Sequence, residues 1–275
     1  MTGRRRSELL YESGTVAAGR FRCTPGDDSW SSDNWIGERH HLVFASRPVV
    51  IRQAGHARVC VDRHRAALYD GGQVYRRELA HPDGDRADFL AVAPEVVREA
   101  LEAHAVPTAA RESFGSPVVA IDDRTFLAQR LLFRDLAGGH LDPLLAEERL
   151  LRLVDVVVAQ CGSGRRAPES SHTELAEAAA VVLSSELDAR LGLADIGARL
   201  HVSPFHLARV FRSQTGTTLH AYREGERLRA AVDEGLTSPR SLSRIAADLG
   251  FSSHSHLTAR FRQRFGTTPS RLAVS

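Results

Sequence analysis

Lysine is absent from this sequence, and cysteine is scarce. All 36 basic residues among the 275 are arginine, and we attribute the absence of lysine to nucleotide bias in the genome rather than to function. The three cysteines, Cys23, Cys60 and Cys161, are odd in number and widely spaced. This argues against a disulfide framework and favours a reducing compartment. The sequence therefore predicts a cytoplasmic protein without structural disulfides.

Long apolar runs are also missing. The longest candidate, residues 153–159, contains Asp155 and falls far short of the roughly 18 apolar residues that a membrane span needs. Arg4–Arg6 are followed by Ser7 and Glu8 rather than by an apolar stretch, so no secretory signal is predicted. With 43% hydrophobic and 25% charged residues, the composition is typical of a globular protein whose length suits two domains. Membrane, secreted and fibrous classes are excluded.

Short apolar segments separated by turn residues occupy the first third of the chain. Segments rich in Val, Ile or aromatic residues lie at 41–44, 49–51, 58–61, 66–69, 74–75 and 89–92. This spacing predicts antiparallel strands. Residues 1–35 show little periodicity, and no strand is predicted there. A small β-sandwich or barrel over about residues 20–95 is the simplest interpretation.

The pattern becomes helical after Pro94, which is well placed for a helix start. Further helices are predicted at about 123–137 and 142–160. The last of these carries a wide apolar stripe, formed by Leu144, Leu150, Leu151, Val154, Val157 and Val158. Either the stripe packs on the sheet or part of it faces a second copy of the chain, and the sequence leaves both open.

A change of composition divides the chain. Residues 162–172 are small, polar and proline-containing, as expected of a linker, and residues 173–275 are dominated by helix formers. Residues 1–172 carry 23 arginines against 24 acidic residues, whereas residues 195–275 carry 12 against 6. A basic C-terminal segment on a neutral body is typical of a nucleic-acid-binding module.

The C-terminal segment contains an internal repeat. IGARLHVSPFHLARVFRSQTGTT at 196–218 aligns with IAADLGFSSHSHLTARFRQRFGTT at 245–268. The matching positions are Ile196 with Ile245, Leu200 with Leu249, Ser203 with Ser252, Leu207 with Leu257, Phe211 with Phe261, and Gly216 with Gly266. Each copy has the pattern of a short helix, a tight turn and a second helix, which begins at a serine cap and ends at a glycine. The sequence thus predicts two helix-turn-helix motifs.

The second helix of each motif presents an outward polar and basic face. A helix in the major groove needs hydrogen-bonding side chains for base edges and arginines for phosphates. The predicted DNA contacts are Ser203, Phe205, His206, Ala208, Arg209 and Arg212 in the first motif, and Ser253, His254, Ser255, Thr258, Arg260 and Arg262 in the second. The segment 219–232 between the motifs would span about 22 Å as a helix. Together with the motif widths, this approaches the ~34 Å between successive major grooves.

These residues resemble the AraC/XylS family of bacterial transcription regulators. The resemblance covers about residues 173–275 and is strongest in GFSSHSHLTARFRQRFGTTPSRL at 250–272. It implies a DNA-binding unit of seven helices with two helix-turn-helix motifs. In the first motif it places Phe205, Ala208 and Arg209 at base-reading positions and Arg212 at a backbone-contacting position.

The second motif departs from the family pattern. Family members often carry arginine where this chain has Ala259, and Arg260 follows one position later. That displacement turns the side chain about 100° around the helix. Arg260 is therefore expected to contact a phosphate or a neighbouring helix rather than a base, and the first motif is expected to be the main specificity element.

The N-terminal half resembles, less specifically, the cupin-like sensor domains that accompany this DNA-binding unit. The similar segments are His40–Phe44, Tyr75–Arg76 and His81–Asp85. The resemblance implies an effector-sensing or dimerising domain but names neither a ligand nor its binding residues.

The predicted fold class is α+β in two domains. A cupin-like sandwich or barrel with helices occupies residues 1–161, a linker follows at 162–172, and an all-α domain occupies 173–275. The predicted partners are double-stranded DNA, RNA polymerase, a small-molecule effector, and a second copy of the chain through the helix at 142–160.

Five of the histidines in the N-terminal half raise the question of a metal site: His40, His41, His56, His64 and His81. Catalytic cupins carry two histidines one residue apart followed shortly by glutamate, and this chain lacks that pattern. His40 and His41 would face opposite sides of a strand, so only one can enter a barrel. We predict no metal, no cofactor and no enzymatic activity. Cys23 and Cys60 form a redox pair only if they lie close together, and buried inert thiols are the favoured interpretation.

Three hypotheses follow. The leading one is a transcription regulator whose N-terminal domain binds a small molecule or dimerises. The second is a DNA-binding protein whose N-terminal domain meets a protein partner. The third is a metal-dependent cupin enzyme fused to a DNA-binding domain.

Overall fold

The structure is a computed structural model of the chain. It describes residues 6–105, 113–161, 171–189, 191–237 and 240–272. The chain divides into two compact units, Met1–Arg166 and Ala167–Ser275. Of the predicted linker, residues 162–170 lie outside the described residues. Its last two residues, Ser171 and His172, already belong to a helix, which corrects the predicted end of the linker.

The N-terminal unit contains two antiparallel sheets, as predicted. Its described strands are β1 Arg6–Glu12, β2 Val16–Cys23, β3 Asn34–Trp35, β4 His40–Ala45, β5 Val49–Gln53, β6 Val59–Val61, β7 Arg65–Tyr69, β8 Val74–Leu79, β9 Asp85–Val92 and β10 Val118–Ala120. One sheet has the order β1-β2-β9-β4-β7-β10, and the other has the order β3-β8-β5-β6. A shared core includes Ala45, Val49, Ile51, Val61, Ala67, Tyr69 and Tyr75.

The sheet begins earlier than its predicted start near residue 20. β1 and β2 lie in the region where the periodicity predicts no strand. β2 contains Ala17, Ala18 and Gly19, which have low β-propensity. Gly19 pairs with Phe89 of β9, and a Cβ at Gly19 would lie 2.6 Å from the Phe89 ring. Long-range packing between β2 and β9 therefore determines this strand.

The three helices predicted for this unit are present. They are α1 Pro94–Ala103, α2 Asp123–Ala137 and α3 Pro143–Cys161. Buried polar contacts hold α2 on the larger sheet, because the Asp88 carboxylate accepts hydrogen bonds at 2.8 Å from both Gln129 and Arg130. Arg130 also donates to the carbonyl of Ala45 at 2.9 Å. A buried carboxylate paired in this way anchors a helix in one register.

α3 buries most of its apolar stripe within its own unit. Leu150, Val154 and Val157 are buried, and the helix packs against α1, α2, β2 and β10. Leu144, by contrast, is 70% exposed, and Leu151 is half-buried. Packing on the sheet thus accounts for the stripe except at its N-terminal end.

The C-terminal unit is all-α, as predicted, with seven helices within the described residues. They are α4 Ser171–Ser185, α5 Leu193–Arg199, α6 Pro204–Thr215, α7 Leu219–Thr237, α8 Leu242–Asp248, α9 His254–Phe265 and α10 Pro269–Leu272. α7 joins the two halves of the repeat and is longer than the predicted segment 219–232, so it spans about 28 Å. In the part of the chain that the structure describes, no helix has the length and apolar character to cross a bilayer.

Candidate functional site

The two halves of the repeat have the same backbone geometry. α5 and α8 each contain 7 residues, and α6 and α9 each contain 12. His201 and Gly250 occupy the same turn position with φ of 57° and 71°. The next residue in each turn, Val202 or Phe251, donates its amide N–H at 2.9 Å to a carbonyl of the preceding helix. Both repeats therefore form helix-turn-helix motifs.

The helix caps correct one detail of the sequence alignment. Ser203 Oγ accepts a hydrogen bond from the amide of His206 at 3.2 Å, and Ser253 Oγ accepts one from the amide of His256 at 3.1 Å. The structural equivalent of Ser203 is therefore Ser253. Ser252 instead places its hydroxyl 3.0 Å from His256 Nδ1. The extra residue of the second motif lies in the turn before the cap.

The second helix of the first motif, α6, has a sharply divided surface. Leu207, Val210 and Phe211 are buried. The predicted contacts lie on the opposite side: Ser203, Phe205, Arg209 and Arg212 are exposed, and His206 and Ala208 are half-buried.

Phe205 is 80% exposed, an unusual position for a phenyl ring. The side chains of Arg209 and Arg212 form no ion pair with any described residue. An exposed ring beside two arginines without a partner is a surface suited to a nucleic acid.

The second motif repeats this surface on α9. Leu257 and Phe261 are buried. Ser253, His254, Ser255 and Arg262 are exposed, and Thr258 is half-buried. The hydroxyl of Thr258 lies 3.3 Å from Nε2 of His254. These predicted contacts are thus brought together on one side of the helix.

Arg260 differs from the other predicted contacts. Its Nε and Nη2 donate to the two carboxylate oxygens of Glu224 on α7, at 2.6 and 2.5 Å, and its Nη1 donates to Gln263 at 2.7 Å. The hydrogen bond from Arg260 lowers the pKa of Glu224, so the carboxylate stays ionised. Of the two expected roles, Arg260 takes the contact with a neighbouring helix.

Two further arginines have a structural role that the sequence did not reveal, because their partners are backbone carbonyls distant in sequence. Arg227 donates to the carbonyls of Leu187 and Gly250, at 2.7 and 3.4 Å. Arg223, one turn earlier, donates to the carbonyl of Leu191 at 3.3 Å. The sequence indicated only that these two arginines, four residues apart, lie on the same face of one helix. Part of the positive charge of this unit therefore braces α7 and does not face outward.

The N-terminal unit contains a second candidate site, a cavity of about 240 Å³ between the sheets. We call it the sheet cavity. Its lining includes Phe21, Trp35, His41, Ala67, Tyr69, Tyr75, Arg77, Asp85 and Phe89. The two charged lining residues, Arg77 and Asp85, form an ion pair at 2.7 Å, and their side chains are only 3% and 6% exposed. The cavity is thus mostly aromatic and apolar, with its charges paired.

The adjacent histidines face opposite sides of β4, as predicted. His41 lines the sheet cavity. His40 lies 3.3 Å from the Asp70 carboxylate and packs edge-on against Phe114. Among the described residues, no group of three or more His, Cys, Asp or Glu residues is arranged to hold a metal ion.

The cysteines are free thiols in this structure. Cys23 and Cys60 are buried, and Cys161 is half-buried. Burial raises the pKa of the Cys23 thiol and raises that of Cys161 to about 11. Both thiols are therefore protonated at neutral pH and weak nucleophiles.

Comparison with known proteins places the C-terminal unit in a family. The helix-turn-helix domain family matches residues 196–273. The regulatory protein SoxS of Escherichia coli is 31% identical over 100 residues, which are 36% of this chain and 94% of SoxS. The chain belongs to the AraC/XylS family of transcription regulators.

Other similar proteins are matched over different shares of their own length. The regulatory protein PocR of Salmonella typhimurium is 26% identical over 143 residues, which are 50% of this chain and 47% of PocR. The chain thus spans about half the length of PocR. Among solved structures, ToxT of Vibrio cholerae is similar over 98% of this chain and 96% of its own, with 11% identity and a TM-score of 0.37. SoxS and PocR are both named as regulatory proteins.

Proposed function

We propose that this AraC/XylS family member is a one-component transcription regulator. In this proposal the C-terminal unit reads a specific duplex sequence, and the N-terminal unit controls it through a small-molecule effector or through dimerisation. The observation that carries the DNA-binding part is the duplicated motif, in which two helices of equal length present exposed polar faces. A single basic helix would be weaker evidence, because its exposed face could equally be ordinary solvent-exposed surface.

The residues of the first motif have distinct roles in this proposal. Arg209 reads a base edge, ideally guanine, through its two-pronged guanidinium. Phe205 and Ala208 contact thymine methyl groups, which are the apolar features of the major groove. Arg212, farther along α6, binds a phosphate. Ser203 and His206 lie at the start of the helix and contact the backbone.

The second motif contributes shorter polar side chains. His254, Ser255 and Thr258 face base edges, Ser253 lies at the helix start, and Arg262 binds a phosphate. α7 separates the motifs by about 28 Å along its axis, and the motif widths add to this. That distance supports insertion of α6 and α9 into successive major grooves, ~34 Å apart.

The DNA-binding proposal is tested by selection from a random duplex library. We expect enrichment of one site with two conserved boxes about 10 base pairs apart. Arg209→Ala should weaken binding to the selected duplex by about 1–3 kcal/mol while changing binding to random DNA little. Arg212→Ala is the matched control and should lower the salt dependence without changing sequence preference.

Two results would contradict these assignments. Equal losses on both DNAs would make Arg209 a phosphate contact, and a changed preference in Arg212→Ala would make Arg212 a base contact. Failure to enrich any sequence would refute specific DNA binding.

The sheet cavity supports control by a small molecule. A ligand that binds only the folded state raises the unfolding temperature by mass action, so a thermal-shift screen of metabolites tests this part. Recovery of a specific protein and no metabolite would favour the protein-partner hypothesis. Stoichiometric iron, zinc or manganese in the purified protein would favour the enzyme hypothesis.

Two macromolecular partners complete the proposal. RNA polymerase follows from the role of a transcription regulator. A second copy of the chain would bind through α3, where Leu144 remains 70% exposed. The mass of the full-length protein in solution, measured with and without DNA, tests the second partner.

A further inference from the structure

We propose that the sheet cavity takes an uncharged, single-ring aromatic molecule carrying a hydrogen-bond donor, such as a phenol, and that Nε2 of His41 accepts that hydrogen bond. This inference rests on the proposed control by a small molecule and names its chemical class. Three properties of the cavity support it: the nature of its walls, the pairing of its charges, and the tautomer of His41.

The walls favour a flat apolar ligand. Tyr69 and Tyr75 pack with ring centroids 4.6 Å apart, and Phe89 stacks on the His41 ring at 6.0 Å. Aromatic side chains pair favourably with other rings in offset or edge-on arrangements. A cavity of about 150 Å³ lined by apolar residues already holds benzene, so about 240 Å³ accommodates one ring with one or two substituents.

The paired charges disfavour an ionised ligand. Asp85 already neutralises Arg77. The Arg77 guanidinium also lies over the rings of Phe21 and Trp30, at 4.8 and 4.3 Å from their centroids. A carboxylate or ammonium group in the cavity would therefore be buried beside two charges that already neutralise each other. Burying a charge without its own partner is costly, so a neutral ligand is preferred.

His41 supplies the polar selectivity. Its Nδ1 lies 3.0 Å from the carbonyl oxygen of Arg39. A carbonyl only accepts hydrogen bonds, so Nδ1 carries the proton. Burial lowers the pKa of His41, which keeps the ring neutral at pH 7. The other nitrogen, Nε2, is then a hydrogen-bond acceptor on a residue that lines the cavity, and its complement on a ligand is a hydroxyl or N–H group.

The test compares four probes of similar size on the full-length protein at pH 7. They are p-cresol, 4-methylanisole, p-toluate and 4-methylbenzylamine. We expect p-cresol to raise the unfolding temperature and to bind about fivefold more tightly in calorimetry than 4-methylanisole, which has no donor, because one hydrogen bond contributes about 1 kcal/mol. The two charged probes should produce no shift.

Variants locate the site. His41→Phe removes the acceptor and should weaken the binding of p-cresol about fivefold while leaving that of 4-methylanisole unchanged. His81→Phe is the matched control, because His81 is not among the residues that line the cavity, and should bind both like the wild type. Ala67→Leu fills the cavity and should abolish binding of both probes, which keeps the test decisive if His41→Phe does not fold.

The outcomes separate this inference from the proposed function. Tight binding of a charged probe, or unchanged p-cresol affinity in His41→Phe, overturns the inference alone. The inference alone is also overturned if every ligand found in a metabolite library is charged or non-aromatic and Ala67→Leu abolishes the binding of that ligand. If no probe and no library compound raises the unfolding temperature, control by a small molecule fails together with the inference.

Discussion

Gly250, in the turn of the second motif, is subject to two independent constraints. Its φ is 71°, a region that residues with a Cβ enter at a cost of about 1–2 kcal/mol. A Cβ at this position would also lie 2.7 Å from Nη2 of Arg227. Arg227 donates to the Gly250 carbonyl and to that of Leu187. Glycine therefore allows both the turn and the close approach of the arginine.

Gly266 provides a control that separates the two constraints. It has φ of 70° at the end of α9, and a Cβ there would meet nothing within 4 Å. We expect Gly266→Ala to lower the free energy of unfolding by about 1 kcal/mol. Gly250→Ala should cost at least about 1 kcal/mol more, because the Arg227 hydrogen bonds must be disturbed. Urea unfolding followed by the helical circular dichroism signal measures both, and equal losses would contradict the packing argument.

Asp70 gives a pH prediction for the N-terminal unit. Burial raises the pKa of its carboxyl group, but the nearby His40 imidazole and hydrogen bonds from Ser113 and the Phe114 amide outweigh this effect, so the pKa is lowered in the folded protein. Ser113 Oγ lies 2.5 Å and the Phe114 nitrogen 3.1 Å from the carboxylate. The stability from this group is present above its unfolded pKa of about 3.9 and is lost as pH falls through the lower folded value.

Asp70→Asn should therefore destabilise the unit by about 1 kcal/mol at pH 7 and flatten the acid-side decline below about pH 4. Both tryptophans, Trp30 and Trp35, lie in this unit, so their fluorescence reports its unfolding. Asp83→Asn is the matched control, since the Asp83 side chain is 64% exposed. If the acid-side slope of Asp70→Asn matches that of the wild type, the carboxylate contributes nothing to it.

Among the elements, α7 connects to the second motif by polar contacts on one side. Glu224 holds Arg260 of α9, and Arg227 holds the carbonyl of Gly250 in the turn. Because these contacts join α7 to α9 and to the turn before it, we expect them to restrain the separation of the two motifs. The ion pair is partly exposed, so its contribution is modest, yet its two-oxygen geometry restricts orientation.

Glu224→Gln should loosen that restriction. We expect a loss of about threefold on the selected duplex, in line with a partly exposed ion pair, and a smaller penalty for duplexes with one base pair inserted or deleted between the boxes. Glu186→Gln, which breaks an exposed pair with Arg199, is the control and should retain the wild-type preference for spacing. An equal loss at every spacing would show that Glu224 affects stability and not the separation.

Local signals made several elements predictable from sequence. Pro94 marks the start of α1, Ser203 caps α6, and Gly216 and Gly266 end α6 and α9, because each residue acts on the backbone beside it. β2 was missed because its low propensity is overridden by pairing with β9. Propensity describes single residues, whereas a strand is decided by neighbours distant in sequence.

The candidate site was predictable to the same extent. The exposed face of α6 follows from helical periodicity, so Arg209 and Arg212 could be placed there. The partner of Arg260 could not, because Glu224 lies 36 residues away and sequence does not reveal which arginine a carboxylate engages. Net charge likewise overestimates the basic surface, since Arg223 and Arg227 bind carbonyls. The sheet cavity depends on packing between two sheets, so the resemblance to sensor domains could suggest a ligand site but not name its lining residues.

At the scale of the whole molecule, α4 decides where the C-terminal unit can be separated from the rest of the chain. Ala176, Ala179, Ala180 and Leu183 on one face of this helix are buried, and α4 packs on α6 and α7. His172 contacts the ring of His206 at a centroid distance of 5.6 Å. α4 is therefore part of the core against which α6 packs.

Three fragments test this role. A fragment of residues 167–275 retains all of α4 and should unfold cooperatively and bind the selected duplex. A fragment of 173–275, cut at the predicted domain boundary, loses the first two residues of α4 and with them the contact between His172 and His206, and should unfold at a temperature a few degrees lower. A fragment of 186–275 lacks α4, so α6 loses the helix that packs against it and the isolated motifs should not hold a stable fold.

Circular dichroism during heating distinguishes these outcomes, and DNA binding by each fragment provides a second measurement. If the C-terminal unit folds alone, the first fragment must have the helical content that this unit has in the full chain. Equal stability of the fragments 186–275 and 167–275 would mean that α4 is dispensable. The first motif would then owe its orientation to α5 and α7 alone, and His206 would be free to face the DNA without support from His172.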